Sequence, residues 1–249
     1  MADYLYDGTF EGFLSCVYAH YYEEKAAGIF PEESYQPNLL VKSRVVKTNG
    51  GRAKRVYEAI EKKISRYDLQ RIYKVFLSGV PDKENKLLKY IVLGFKNGAK
   101  IRLLHGDQTV FDVQQIERKV NFEVHRLSGL IRFAELRGGV LYSAIEPDHD
   151  VCELLAAHFC DRYKNERFVI HDKKRAKALI GCGGNFYISE FGLQNLPSNT
   201  DDEGDYQKLW KKYFDTIAIR ERMNPKCQKN LMPVRYWKNL PEMRVAREP

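Results

Sequence analysis

Apolar side chains recur at helical spacing near the start of the chain, which predicts a first helix. They follow Phe10 at three, four, seven, eight and eleven residues, the positions that share one helical face. Thr9 is a suitable N-cap, because its hydroxyl can accept a hydrogen bond from a free backbone N–H. Short strands are predicted at Asp3 to Tyr6 and in the β-branched run from Leu39 to Lys47. Further helical stripes lie at 56–64, 69–77, 87–95 and 113–127.

The pattern changes after residue 130, where apolar residues come in short runs typical of strands. Two runs, 130–136 and 140–146, flank Gly138-Gly139, which suits a tight turn because glycine adopts positive φ easily. An apolar helical face then starts at Val151. Further strand-like runs lie at 167–171 and 185–190. This order predicts a small antiparallel sheet, built as β-hairpin, helix, strand and strand, with a helix packed on it.

Three regions follow from these elements, and together they predict an α+β protein. Residues 1–80 form a helix-rich N-terminal region, and residues 81–200 form an α+β domain around the central sheet. Residues 206–249 form a basic helical tail that packs on the α+β domain. Within the tail, Asn224-Pro225 is a helix start, with asparagine as N-cap and proline at the first helical position.

Composition excludes several classes of protein. The 249 residues are 44% hydrophobic and 30% charged, which is typical of a folded globular chain and not of a disordered one. No apolar run approaches the roughly 20 residues that a membrane helix needs, so no membrane association is predicted. The five cysteines are scattered, which argues against a disulfide framework, and no secretion signal is evident at Met1. The cytoplasm is therefore the expected compartment.

The positive charge of the chain is concentrated near its end. Residues 206–249 contain eleven basic and four acidic residues, whereas the chain as a whole has 41 and 33. Such a segment points to a polyanionic partner such as DNA, although a solvated basic helix would have the same composition. Its cations are expected to meet phosphates, and its aromatic side chains could stack on an unpaired base. The predicted nucleic-acid-binding residues are Arg126, Arg132, Lys211, Lys212, Arg220, Arg222, Lys226, Arg235, Tyr236, Trp237 and Lys238.

Motifs for phosphate-loop, zinc-ribbon, iron–sulfur and serine-hydrolase chemistry are missing from the sequence, so no cofactor is predicted. His149, Cys152, His158 and Cys160 lie close enough in sequence to suggest a metal site. His158, however, falls on the apolar face of a predicted helix, where a core histidine with inert thiols is the simpler interpretation. No metal site is therefore predicted.

A second group of polar residues leaves the question of catalysis open. His125, Glu146 and Asp148 could perform acid–base chemistry, and they are the candidate catalytic residues. The same residues could equally belong to a helix end with favourable cations and to ion pairs between neighbouring strands.

Three phrases of the sequence together resemble a known family. They are Tyr6-Asp7-Gly8-Thr9-Phe10-Glu11-Gly12-Phe13-Leu14, then His125-Arg126-Leu127-Ser128-Gly129-Leu130-Ile131-Arg132-Phe133 with Ile145-Glu146-Pro147-Asp148, and finally Leu209-Trp210-Lys211-Lys212-Tyr213-Phe214 through Arg235-Tyr236-Trp237. The chain resembles the bacterial DNA metabolism protein family over essentially its whole length. In that family the later two-thirds is a domain of unknown function, which also occurs fused to uracil-DNA-glycosylase-like domains.

The resemblance implies a function but transfers no catalytic residue. Stand-alone members are typically encoded beside a radical-SAM DNA repair or modification protein, so such a protein is the expected partner, together with DNA of either strandedness. We expect a nucleic-acid-binding accessory protein in DNA repair or modification. The alternatives are a DNA-lesion or nucleotide hydrolase that acts from His125, Glu146 and Asp148, and a scaffold that binds only protein.

Overall fold

The structure of the protein is a computed structural model, which describes residues 1–37, 40–192 and 197–243. Contacts divide the chain into two compact units, Met1–Asn121 and Phe122–Pro249. Both units combine helices with a sheet, so the α+β class is confirmed. The predicted division into three regions, 1–80, 81–200 and 206–249, stays a prediction.

Helix α5 passes the boundary between the two units and contributes residues to both. The elements of the first unit are β1 (Ala2–Tyr6), α1 (Phe10–Tyr22), β2 (Ala26–Pro31), β3 (Ser43–Val45), α2 (Gly50–Lys63), α3 (Arg66–Phe76), α4 (Lys83–Asn97) and the first part of α5 (Gln108–Leu130). Those of the second unit are the rest of α5, β4 (Ala134–Leu136), β5 (Val140–Ile145), α6 (Cys152–Arg162), β6 (Arg167–Asp172), β7 (Lys177–Cys182), β8 (Asn185–Glu190), α7 (Glu203–Ile217) and α8 (Pro225–Leu231).

The sheet of the first unit is parallel, with the strand order β2-β1-β3. Every residue of the central strand β1 is buried, as is typical of a parallel strand covered on both faces. Helix α1 follows β1 and returns the chain, so that β2 runs parallel to β1. Thr9 caps α1 as predicted, because its hydroxyl accepts a hydrogen bond from the Gly12 backbone N–H at 3.0 Å.

A buried arginine connects three helices of the first unit. Arg71 on α3 is only 5% exposed, and its Nε donates to Glu117 Oε2 on α5 at 2.6 Å. Its Nη1 donates to Tyr90 Oη on α4 at 2.9 Å, and Tyr90 Oη donates to Asp68 Oδ1 at 2.8 Å. A buried charge is tolerated only when its partners are in place, so the packing of these helices depends on the complete set.

The sheet of the second unit has five strands in the order β4-β5-β6-β7-β8. Its first two strands form the predicted hairpin, in which Gly138 and Gly139 have φ values of +97° and +68°. The prediction of a wholly antiparallel sheet is wrong at one pair, because β5 and β6 run parallel. Helix α6 lies between these strands in the chain and returns it to the same end of the sheet, which makes the pair parallel.

Strand β7, which the apolar pattern did not predict, lies inside this sheet between β6 and β8. Its Gly181 pairs with Phe168 of β6, and a Cβ atom at Gly181 would stand 2.2 Å from the Phe168 ring. The space left by the glycine lets that ring join Phe133 and Phe159 in an aromatic core, with centroid distances of 6.0 and 6.4 Å.

The two edges of the five-stranded sheet differ in how they are covered. At the β4 edge, Thr200 N donates to Glu135 O at 3.0 Å and Leu136 forms a bridge with Asn199. Strand β8 at the other edge carries large exposed side chains: Phe186 is 46% exposed and Tyr187 58%. Within the described part of the chain, no further strand pairs with β8.

Residues 203–243 contain α7 and α8, which are followed by short 3-10 helices, and residues 244–249 of the predicted basic tail lie outside the described residues. Asn224 caps α8, because its Oδ1 accepts a hydrogen bond from Cys227 N at 2.9 Å, and Pro225 is the first helical residue. The predicted helix start at Asn224-Pro225 is therefore confirmed.

Removal of the buried arginine should destabilise the first unit strongly. Arg71→Met leaves Glu117 and Asp68 buried without their cation, so we expect the free energy of unfolding to fall by about 3–5 kcal/mol. Urea unfolding followed by far-UV circular dichroism measures this loss. The control Lys62→Met breaks only an exposed pair of 3.6 Å with Glu58 and should change stability by less than about 1 kcal/mol. Equal unfolding midpoints for Arg71→Met and the unchanged protein would contradict the proposed role of the buried arginine.

Candidate nucleic-acid interface

Exposed cations of the C-terminal segment, defined as residues 197–243, concentrate between the second half of α7 and the end of α8. We call residues 212–229 the cationic stretch. Lys211 is also a predicted binding residue, but it lies just before this stretch and is partly buried. Within the described chain, the exposed cations of the stretch form no ion pair with an acidic side chain. They are Lys212, Arg220, Arg222, Lys226 and Lys229.

Two other predicted cations pair with the acids that were predicted to be catalytic. Lys238 Nζ lies 2.6 Å from Glu146 Oε2, and Arg235 Nη2 lies 2.9 Å from Asp148 Oδ2. The structure thus places two predicted binding residues against two candidate catalytic residues. Within these two pairs the opposite charges offset each other.

Arg126 and Arg132 also contact the C-terminal segment. Arg126 Nη2 donates to the backbone oxygen of Asn230 at 3.0 Å. The Nη2 atom of Arg132 lies 2.8 Å from Glu242 Oε1, and its guanidinium carbon lies 5.2 Å from the centre of the Trp210 ring. Glu242 also accepts a hydrogen bond from Trp210 Nε1 at 3.0 Å. These contacts attach the segment to the rest of the unit, and a role of either arginine in binding stays a prediction.

Neither aromatic side chain assigned to base stacking is fully exposed. Tyr236 is only 4% exposed, and Trp237 is partly buried with its Nε1 donating to Met232 O at 2.9 Å. Stacking by these two residues stays a prediction, and for Tyr236 it would require the C-terminal segment to move.

A buried carboxylate, Glu123 on α5, organises this region. It is 2% exposed and accepts hydrogen bonds from the backbone N–H groups of Asp148 and His149 at 3.0 and 2.8 Å. Tyr236 Oη donates to it at 2.5 Å, and Arg235 Nη2 lies 3.2 Å away. The Glu123 side chain therefore connects α5, the turn after β5 and the C-terminal segment.

The environment of Glu123 keeps it ionised. Burial alone would raise the pKa of a carboxyl group, but hydrogen bonds from Tyr236 and from the two backbone N–H groups outweigh it and hold the pKa of Glu123 below its ordinary value. Burial, reinforced by the adjacent carboxylate, raises the pKa of Tyr236. Burial also lowers the pKa of His149, against the attraction of Glu123 and Asp148. These pKa shifts favour an ionised Glu123 that accepts hydrogen bonds from a neutral Tyr236 and its other neighbours, as in a structural network around a charge.

His125, the third candidate catalytic residue, lies on the exposed side of α5. Among the described residues, no hydrogen bond joins it to Glu146 or Asp148. The two carboxylates are instead engaged in the ion pairs with Lys238 and Arg235. The catalytic assignment of the three residues stays a prediction.

The described residues contain neither a metal-binding cluster nor a membrane-spanning helix. No group of three or more His, Cys, Asp or Glu side chains is placed there to hold a metal ion, and no helix there is long and apolar enough to cross a membrane. Cys152 and Cys160 are buried, but the prediction that His158 is a core residue is wrong, because it is exposed. The buried stripe of α6 passes through Leu155 and Phe159 and leaves His158 outside it.

Glu123 is not among the residues predicted to be functional, although the sequence indicates that it is buried. It falls three residues after Val120 and four before Leu127, on the buried face of the helix. A charged residue within an apolar stripe marks a buried charge that needs partners. Glu242 has no such signal, because it follows Pro241 in a short 3-10 helix without a periodic pattern.

Replacing Glu123 should destabilise the second unit in a pH-dependent way. Because the folded-state pKa is depressed, ionised Glu123 stabilises the fold above the ordinary carboxyl pKa of about 4.3, and this stabilisation is lost as the pH falls through the folded-state pKa. Glu123→Gln should therefore cost about 2 kcal/mol at about pH 7 and distinctly less at about pH 3. Urea unfolding followed by tryptophan fluorescence is suitable, since both tryptophans belong to this unit.

The control for this experiment is Glu221→Gln, which alters an exposed carboxylate of the same unit. Its unfolding midpoint should match that of the unchanged protein at both pH values. A Glu123→Gln variant with the same loss of stability at both pH values would contradict the role of an ionised Glu123.

Comparison with known proteins identifies the family. A search of curated proteins found no match to the chain. One family model matches residues 81–242, well over half of the chain, and its family is described as a domain of unknown function, DUF4130. The expectation that the later part of the chain is a domain of unknown function is thereby confirmed, while the expected DNA metabolism role stays a prediction. The chain belongs to the DUF4130 family.

Proposed function

We propose that this protein binds nucleic acid through the cationic stretch, residues 212–229. The observation that carries the proposal is the set of five exposed cations, Lys212, Arg220, Arg222, Lys226 and Lys229, which form no ion pair with a described acidic side chain. Phosphates can bind such cations without first displacing a carboxylate. Each phosphate bound also releases counterions from the nucleic acid, which favours association at low salt.

The contrast with the neighbouring cations supports this choice of surface. Arg235 and Lys238 would have to leave Asp148 and Glu146 before they could bind a phosphate. Arg132 would have to leave Glu242, whose side chain is only 1% exposed. Separation of Arg132 from Glu242, or of Arg235 from its second partner Glu123, would leave a buried carboxylate without its cation, at a cost in free energy. The pairs with Asp148 and Glu146 are open to solvent and add little to that cost. The cations of the stretch, which have no described acidic partner, carry no such cost.

Exposed apolar side chains accompany the cations in the cationic stretch. Tyr213 is 54% exposed, Ile217 57%, Ile219 50% and Met223 68%. A surface that combines cations with aromatic and aliphatic groups can contact both phosphates and the flat faces of bases. The same surface would also suit an acidic protein partner, which is the scaffold alternative.

The biological role that we propose is that of an accessory protein in DNA repair or modification. Support comes from the resemblance of three sequence phrases to the DNA metabolism proteins encoded beside radical-SAM enzymes. An enzyme that acts on a base must unstack it, at a cost of a few kcal/mol, and a subunit that holds the flanking backbone can offset that cost. The cationic stretch is suited to hold backbone phosphates.

Removal of four cations from the stretch should weaken binding to all DNA sequences alike. For a chain with Lys212, Arg220, Arg222 and Lys226 replaced by Ala, we expect the salt dependence of duplex binding to decrease by about 0.9 for each phosphate that the protein no longer binds. Fluorescence anisotropy over a series of salt concentrations measures this slope. Binding unchanged in affinity and slope would contradict the proposed interface.

The matched control removes the same charge elsewhere in the second unit. Arg162, Lys164, Lys173 and Lys174 are exposed cations outside the C-terminal segment, and their replacement by Ala should lower affinity much less. An equal reduction of affinity in both quadruple variants would show that net charge alone attracts DNA, without a site in the cationic stretch.

Association with a radical-SAM protein is tested by co-expression and tandem purification. We expect the two proteins to elute together at micromolar concentration, with or without DNA. Separate elution under both conditions would contradict the accessory role. A complex that forms without any DNA binding would favour the scaffold alternative. Conversion of damaged DNA by this chain alone, abolished by Glu146→Gln or Asp148→Asn, would establish the hydrolase alternative.

A further inference from the structure

The first unit contains a cleft lined by aromatic rings, at the surface where α1, α2 and α4 meet. Its volume is about 380 Å³, within the range of about 300–1,000 Å³ that is usual for small-ligand sites. Val17 and Val56, both buried, form part of its wall. Its aromatic lining consists of Tyr18, Tyr21, Tyr22 and Phe95.

Contacts between these rings hold them in place before any ligand binds. Tyr18 and Tyr22 stack with their centroids 4.5 Å apart and their planes at 24°. Tyr21 meets the edge of Phe95 at 5.6 Å and 79°. Tyr22 nevertheless remains 65% exposed and Tyr21 46%. Ordered rings with free surface can stack on a flat ligand with little loss of side-chain entropy.

A cation lies over two of the rings, and a second lines the cleft. The guanidinium carbon of Arg55 lies 5.9 Å from the centre of the Tyr18 ring and 5.6 Å from that of Tyr22. Lys63 also lines the cleft. Neither side chain has an ion pair with an acidic residue in the part of the chain that the structure describes. Arg52, by contrast, lies over Tyr18 but pairs with Glu23 at 2.9 Å.

The helix that supplies these cations is basic as a whole. Helix α2 contains five basic and two acidic residues, so the field at the cleft favours an anionic ligand. A quaternary ammonium ligand, which aromatic sites often bind, would be repelled by Arg55 and Lys63. An acidic peptide would satisfy the cations but would leave the exposed rings without a planar partner.

We propose that this cleft binds a nucleotide of a single-stranded nucleic acid. A base packs against the exposed rings of Tyr21 and Tyr22, and the adjoining phosphates meet Arg55 and Lys63. Stacking on aromatic side chains together with a basic groove is the usual basis of binding to single strands. This site lies within the first unit and does not depend on the cationic stretch.

The test uses the full chain and a fluorescein-labelled oligothymidylate of about 12 nucleotides, followed by anisotropy. We expect Tyr22→Leu to weaken binding about tenfold, because it removes the stacking ring, and Tyr22→Phe to bind like the unchanged protein. Arg55→Gln should reduce the salt dependence by about 0.7, the value for one phosphate contact on a single strand. The exposure of Tyr22 makes the fold insensitive to these changes, which circular dichroism verifies.

Controls separate the cleft from the rest of the protein. Tyr57→Leu and Lys54→Gln alter exposed residues of α2 that do not line the cleft, and both should bind normally. The measurements are repeated in the chain with the four alanines of the cationic stretch, so that binding there neither masks nor mimics the cleft. An abasic strand of equal length should bind the unchanged protein no better than oligothymidylate binds Tyr22→Leu.

Three results would overturn the proposal. Binding of oligothymidylate to Tyr22→Leu as tight as to the unchanged protein would exclude stacking. Equal affinity for the abasic strand and oligothymidylate would leave only a contact to phosphates. Finally, competition by polyglutamate as effective as that by oligothymidylate would identify the cleft as a site for an acidic peptide.

Discussion

The second unit is assembled around an ionised carboxylate that has been removed from water. A buried Glu123 would be unfavourable on its own, and it is stabilised only because four donors converge on it. Two of the donors are backbone N–H groups in the turn after β5, at Asp148 and His149. The other two donors, Arg235 and Tyr236, belong to the C-terminal segment. The position of the C-terminal segment thus follows from the need to satisfy a charge on α5.

This requirement also separates the cations of the segment into two groups. Arg235 and Lys238 pair with Asp148 and Glu146, whereas the cations of the cationic stretch remain free of acidic partners in the described chain. Composition cannot make this distinction, because it depends on which acids the fold brings near each cation. The field available to a polyanion is therefore smaller than the net charge of the segment indicates, and it lies earlier in the sequence.

Three local signals in the sequence predicted their structures correctly, whereas contacts between distant residues were not predictable. Thr9, the Gly138-Gly139 turn and Asn224-Pro225 each determine their structure through neighbouring atoms, and all were predicted. The apolar pattern did not predict strand β7, because the strand contains a glycine, Gly181. A glycine is needed there since a Cβ atom would clash with the ring of Phe168 on the neighbouring strand β6. The parallel pair β5–β6 likewise depends on the crossover by α6 and not on the composition of either strand.

The aromatic cleft was missed for a related reason. Tyr18 and Tyr21 lie on the apolar stripe of α1, and such a stripe predicts packing against a core. Tyr18 does pack against the core, whereas the last turn of α1 carries Tyr21 to the surface, where it stays 46% exposed. Helical spacing identifies the face of a helix on which a ring lies. Whether another element covers that part of the face is decided by the tertiary structure.

The unequal edges of the five-stranded sheet bear on how the protein behaves at high concentration. Residues 198–200 occupy the backbone groups of the β4 edge, so that side offers little to a second chain. Strand β8 presents Phe186, Tyr187 and Ile188 on an edge with no charged residue until Glu190. Open edges with apolar side chains are the usual starting points for intermolecular strand pairing. Self-association on storage or overexpression would therefore begin at β8, and a lysine introduced there would act as a gatekeeper.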